Sequence, residues 1–174
     1  TRSITTDALL VLGYLAGHFP TLLSRNSRLL RQYDPVVLIP CDVIVKDLDY
    51  SDLIRSHTAN EADVTMVMKQ DFVEGSNTRI WRVKERRFVE ASDYIHPPLE
   101  RQLEADERLY THEGTWVLGQ RFFNTPLYRV VVYLLSRGFA NAFAKLKIVP
   151  YEGNFDWIDV RDHQNLIEAR RRFG

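Results

Sequence analysis

Val36-Val37-Leu38-Ile39-Pro40-Cys41-Asp42 is the stretch from which the rest of the chain can be placed. A short branched apolar run of this kind reads as a strand buried on both faces. It stops abruptly at a proline, a cysteine and a carboxylate. Ligands of open α/β sheets sit outside the carboxyl ends of the strands. Asp42 therefore stands where a metal ion or a sugar hydroxyl could be held. Val43 to Lys69 reads as a crossover: a turn at Asp47-Leu48-Asp49, a helix opened by Asp49-Tyr50-Ser51-Asp52, and a second buried strand, Asp63 to Met68.

Upstream, Thr5-Thr6-Asp7 precedes the apolar run Ala8 to Leu15. That is an N-cap signal, and it predicts a helix over 7–17. A second helix is expected from Pro20 or Thr21 to Tyr33, with Leu22, Leu23, Leu29 and Leu30 inward and its arginines outward, closed by Asp34-Pro35. Downstream, Thr78 to Val83 alternates polar and apolar like a half-solvated strand, with Arg86 to Val89 pairing to it across a turn at Lys84-Glu85. Residues 91–108 hold Pro97-Pro98 and many charges, and read as a surface excursion. Thr115 to Leu118 is a short strand, and Pro126 to Arg137 a buried helix stopped by Gly138. Leu146 to Tyr151 is a late strand, followed by a turn at Glu152-Gly153-Asn154, the segment Phe155 to Val160, and an arginine-rich helix over 162–172. Strands and helices alternate through much of this order, which favours a layered α/β domain.

A chain of 174 residues suffices for one domain with a real core; one domain over 1–174 is expected. The composition, 45% hydrophobic and 26% charged, is that of an ordinary soluble globular protein. Lys+Arg and Asp+Glu are equal at 23 each, which argues against nucleic acid as the main partner. The single cysteine excludes an intrachain disulfide and points to a reducing, cytoplasmic setting. No apolar run approaches the ~18 residues of a membrane span. The chain starts at Thr1 rather than Met, so a processed chain or a piece of a longer one is expected.

Two carboxylates stand out by their setting: Asp42 after the first buried strand, and Asp159 within an aromatic segment after the last. Carboxylates from distant parts of a chain, converging with substrate phosphates, are the usual way to hold Mg²⁺. From spacing alone the plainer alternative stays open, with Asp42 capping a turn and Asp159 on the surface.

Four blocks carry a resemblance. Val37 to Ile44, then Asp49-Tyr50-Ser51-Asp52-Leu53-Ile54, His57 and Ala62-Asp63-Val64-Thr65-Met66-Val67 are similar to the middle of the sugar-nucleotide pyrophosphorylases. These nucleotidyltransferases make ADP-glucose, dTDP-glucose or GDP-mannose from an NTP and a sugar 1-phosphate. Their pattern is an apolar strand ending in Gly/Cys-Asp, a short helix carrying a His, then Ala-Asp-Val/Ala-Thr opening a strand. Tyr151 to Val160 resembles the family's Gly-x-Trp-x-Asp-Ile/Val segment, Thr6-Asp7-Ala8-Leu9 its Gly-Thr-Ala-x-Ala-Leu helix start, and His112 to Val117 its Gly-Ile/Val-Tyr segment. The resemblance implies a Rossmann-like mixed sheet flanked by helices, of the nucleotidyltransferase or GT-A-like kind, covering the central and C-terminal parts of such a domain. It implies Mg²⁺ held between Asp42 and Asp159 as catalytic ligands, and substrate contacts at Gly114 and Trp157. An NTP and a sugar 1-phosphate would be the partners, in a homo- or hetero-oligomer.

The chain also departs from the family. No Gly-rich loop with Thr-Arg precedes these blocks, and Phe88-Val89-Glu90-Ala91-Ser92 stands where Glu-Lys-Pro is expected, with no Lys after Glu90. A non-catalytic regulatory or assembly subunit of the same superfamily is therefore the alternative. Bland roles are expected elsewhere: Cys41 as a small packing residue, His57 as a hydrogen-bonded half-buried one, Arg170-Arg171-Arg172 as a solvated helix end. His96 and His163 lack metal-like spacing, and Trp81 with nearby arginines hints at a stacking surface.

Overall fold

The structure, a computed structural model, describes residues 10–14, 19–70, 80–84, 87–92, 106–125 and 146–174. The expected helix over 126–137, the turn at Gly75-Ser76-Asn77 and His96 lie outside them. Among the described residues no helix is long and apolar enough to cross a membrane.

The chain builds a mixed sheet flanked by helices. Strand β1 (Leu10–Tyr14) leads through helix α1 (Phe19–Leu30) to β2 (Val36–Pro40), which lies parallel to β1 with Leu10 opposite Val36. Then come β3 (Val43–Lys46), α2 (Tyr50–Ala59), β4 (Val64–Lys69), β5 (Ile80–Lys84), β6 (Arg87–Ser92) and β7 (Glu107–Leu118). Helix α3 (Gln120–Asn124), β8 (Ile148–Glu152), β9 (Asp156–Asp159) and α4 (His163–Phe173) complete the order. The main sheet runs β1-β2-β7-β4-β8, with β5 joined to β7 and β6 to β5. A separate ribbon pairs β3 with β9.

The order corrects several expectations. Leu10–Tyr14 is a strand, not part of a helix over 7–17. An unbroken apolar run carries no period that separates a buried parallel strand from a buried helix, and Gly13 serves here as a close-approach residue: a Cβ on it would stand 2.6 Å from Cys41 Sγ. Val43–Lys46, given no element of its own within the expected crossover, is a strand. The crossover from β2 does not deliver β4 beside it, because β7 lies antiparallel between them. β7 begins at Glu107, well before Thr115, and absorbs the end of the supposed excursion. Leu29, expected inward, is exposed.

The central strands are buried nearly end to end, and successive side chains go to opposite faces, which places the core on both sides of the sheet. Val36, Leu38, Val64, Met66, Met68, Trp116 and Leu118 point to one face and pack with Leu23 and Leu30 of α1 and with Trp81. Val37, Val67 and Val117 point to the other, with Leu53 of α2, Tyr151 and Phe155. A period of two along each strand, apolar on both sides, makes the sheet the middle layer of three. Trp81 is thus buried, edge-on to His112 and Trp116, and offers no stacking surface. Asp49 caps α2 by accepting from the Ser51 and Asp52 amides, and Asp162 caps α4 through the Asn165 amide.

Candidate functional site

Asp42 follows β2 at the carboxyl end of the sheet, and the ribbon beyond it brings Asp159 alongside. Val43 of β3 stands opposite Asp159 of β9, and the Val160 amide donates to the Asp42 carbonyl at 2.8 Å. The two carboxylates, distant in sequence, therefore share one corner. Trp157 stands opposite Val45 across the ribbon and packs against the second core cluster, which anchors this corner to the sheet.

Arg161, which sequence reasoning passed over, completes the corner. Its Nε donates to both Asp159 oxygens, at 2.9 and 2.7 Å, and its Nη2 also bonds Oδ2. Its backbone amide bonds Asp159 Oδ1 at 3.0 Å, and its Nε lies 3.9 Å from Asp42 Oδ2. Burial pushes the Asp159 carboxyl up, but the hydrogen bonds and charge of Arg161 outweigh it and hold the group below its ordinary value. The same contact raises the guanidinium further, so both partners stay charged. The only sequence signal was an acid and a base two residues apart beside a chain turn.

The corner offers hard oxygen donors, the kind Mg²⁺ takes. Asp42 Oδ1 is buried with no hydrogen-bond partner, an atom that an ion would satisfy. The other three carboxylate oxygens face Arg161, and among the described residues no three His, Cys, Asp or Glu side chains gather as a metal cluster. The pair thus suits a divalent cation once the guanidinium is out of the way.

Gly114 sits within β7 at φ 109°, a conformation that suits glycine, where the register against β4 shifts between Met66 and Met68. Beside it is a residue not anticipated. Glu113 is 5% exposed, accepts from the Thr115 amide at 2.8 Å through Oε1, and has no partner at Oε2. Burial pushes its carboxyl up to about 7, against the hydrogen bonds from Thr115. The charge of Glu113 in turn adds to the burial that raises the Tyr50 hydroxyl at the start of α2.

The remaining expectations divide. His57 is buried, with Nδ1 2.8 Å from Thr65 Oγ1, and burial lowers its pKa. It lines a groove of about 360 Å³ with Asp34, Gly119 and Arg121, at the opposite ends of these strands from Asp42. Cys41 is exposed rather than packed inside, because the strand has already ended at Pro40. Arg171 and Arg172 pair with Glu168 and Asp156, on the solvent side as expected of a helix end.

No family model matches the chain, and no curated protein matches it in sequence. Solved structures do match in shape. One is a protein assigned as a glucose-1-phosphate thymidylyltransferase from Bacillus anthracis in complex with a sucrose, with a TM-score of 0.55 at 15% identity over 95% of this chain and 75% of that one. Another is a UDP-glucose pyrophosphorylase complexed with UDP-glucose, with a TM-score of 0.57 at 14% identity over 91% of this chain and 62% of that one. The chain has the mixed α/β fold of these proteins and spans part of the length of each.

Proposed function

We propose that the chain is a nucleotidyltransferase-type domain that takes an NTP and a sugar 1-phosphate. The observation that most supports this is the meeting of Asp42 and Asp159 at the carboxyl end of β2, in a fold shared with sugar-nucleotide enzymes. In the reaction, a phosphate oxygen of the sugar 1-phosphate attacks the α-phosphorus of the NTP. The bond from that phosphorus to the bridging oxygen breaks, and pyrophosphate leaves. Asp42 and Asp159 would hold Mg²⁺, which when bound supplies charge neutralisation to the phosphates. Trp157 and the β7 segment around Gly114 would line the sugar side, with the buried Glu113 carboxyl as a hydroxyl partner.

One observation favours a second reading, a non-catalytic subunit within a homo- or hetero-oligomer. Arg161 supplies a cation to both carboxylates from within the chain itself. The test is ³¹P NMR of the chain with Mg²⁺, each NTP, and glucose or mannose 1-phosphate. Nucleotide-sugar formation, lost in Asp159→Asn, supports the enzyme; no product from any pair supports the subunit.

A further inference from the structure

We propose that Arg161 is a built-in counter-cation for Asp42 and Asp159, and that a divalent ion enters this corner only by displacing it. The inference rests on reading the two carboxylates as a cation-holding pair. Three features carry it. Arg161 engages both oxygens of Asp159 with its guanidinium and one of them with its own amide, a short loop closure that costs little chain entropy and gives the strong geometry of a forked ion pair. The same guanidinium reaches toward Asp42 Oδ2 while Asp42 Oδ1 stays buried without a partner, so one cation serves the pair and leaves one oxygen unserved. The Arg161 side chain is 59% exposed against 13% for Asp42 and 23% for Asp159. It can therefore swing into solvent without opening the core, whereas the carboxylates stay in place on the ribbon.

An ion and the guanidinium compete for the oxygens that face Arg161, and their like charges repel. The charge on Arg161 is permanent near neutral pH, so the competition does not depend on buffer. An ion arriving with a phosphate ligand would meet less resistance, because the released guanidinium can then fork onto phosphate oxygens.

The test is a Tb³⁺ luminescence titration, followed by displacement with Mg²⁺, on the wild-type chain, Arg161→Ala, Arg161→Lys, and Arg161→Ala combined with Asp42→Asn. Arg161→Ala is expected to bind at least tenfold more tightly than wild type, Arg161→Lys to fall between them, and the double variant to lose the gain. Far-UV circular dichroism should be unchanged in all of them. Equal affinity of wild type and Arg161→Ala overturns the proposal, as does a gain that survives Asp42→Asn. Absence of ion binding in every variant overturns it too, and leaves nucleotide-sugar formation to be decided by the NMR assay.

Discussion

The Val160 amide donates to the Asp42 carbonyl at 2.8 Å, fastening by backbone the two segments that carry the candidate site's carboxylates. The geometry of the corner thus belongs to the β3–β9 ribbon and does not depend on side-chain charge. Asp42→Asn and Asp159→Asn should leave the fold intact. Each should change the thermal midpoint by only a few degrees, as expected of sites worth about 1 kcal/mol or less; differential scanning calorimetry checks this.

Glu113 makes stability fall as pH rises. Its folded-state value, about 7, lies above the ordinary 4.5. The folded protein therefore holds the proton more tightly than the unfolded chain does. Its contribution is fully present below about pH 4.5 and is lost as pH rises through 7. The penalty above that range is on the order of 3 kcal/mol. Urea unfolding at pH 5 and pH 8 should show Glu113→Gln gaining on wild type by roughly this amount at the higher pH.

Tyr151 ties β8 to α2 by donating to Asp52 Oδ2 at 2.9 Å, and burial, with the Asp52 contact, pushes its hydroxyl up to about 12. Tyr151→Phe removes the donor but keeps the ring in the second core cluster. A loss of about 1 kcal/mol in the unfolding free energy is expected, with no change in denaturant slope.

Gly114→Ala tests the left-handed backbone within β7. A side chain there is strained by roughly 1–3 kcal/mol. The thermal midpoint should fall accordingly, while Ala at the exposed Gly13 of β1 should instead disturb Cys41, whose Sγ stands 2.6 Å from the added Cβ.

How much of this was legible in the sequence depended on local signals. Val36–Pro40, a branched apolar run ended by a proline, and Val64–Lys69, a mostly apolar run after Asp63, were placed as strands, as α2 and α4 were as helices. Leu10–Tyr14 looked the same as a helix core, since an unbroken apolar run shows no alternation by which to tell strand from helix. β3 was missed because a four-residue strand gains its identity from a partner, β9, near the other end of the chain. β7 was cut short because Glu113 and Gly114 interrupt its apolar pattern, although both are accommodated by the shifted register. Asp42 and Asp159 stood out by their setting at the ends of strands, and the resemblance added the role of a metal-holding pair. Arg161 and Glu113 did not stand out, because an ion pair and an unpartnered buried oxygen exist only once the chain is folded.

The most direct measurement is isothermal calorimetry of the chain with an NTP and Mg²⁺, then with a sugar 1-phosphate, for wild type and Asp42→Asn. The account predicts binding that needs Mg²⁺ and disappears in the variant. Nucleotide binding of equal strength with and without Mg²⁺, or unaffected by Asp42→Asn, would contradict the placement of the site between Asp42 and Asp159.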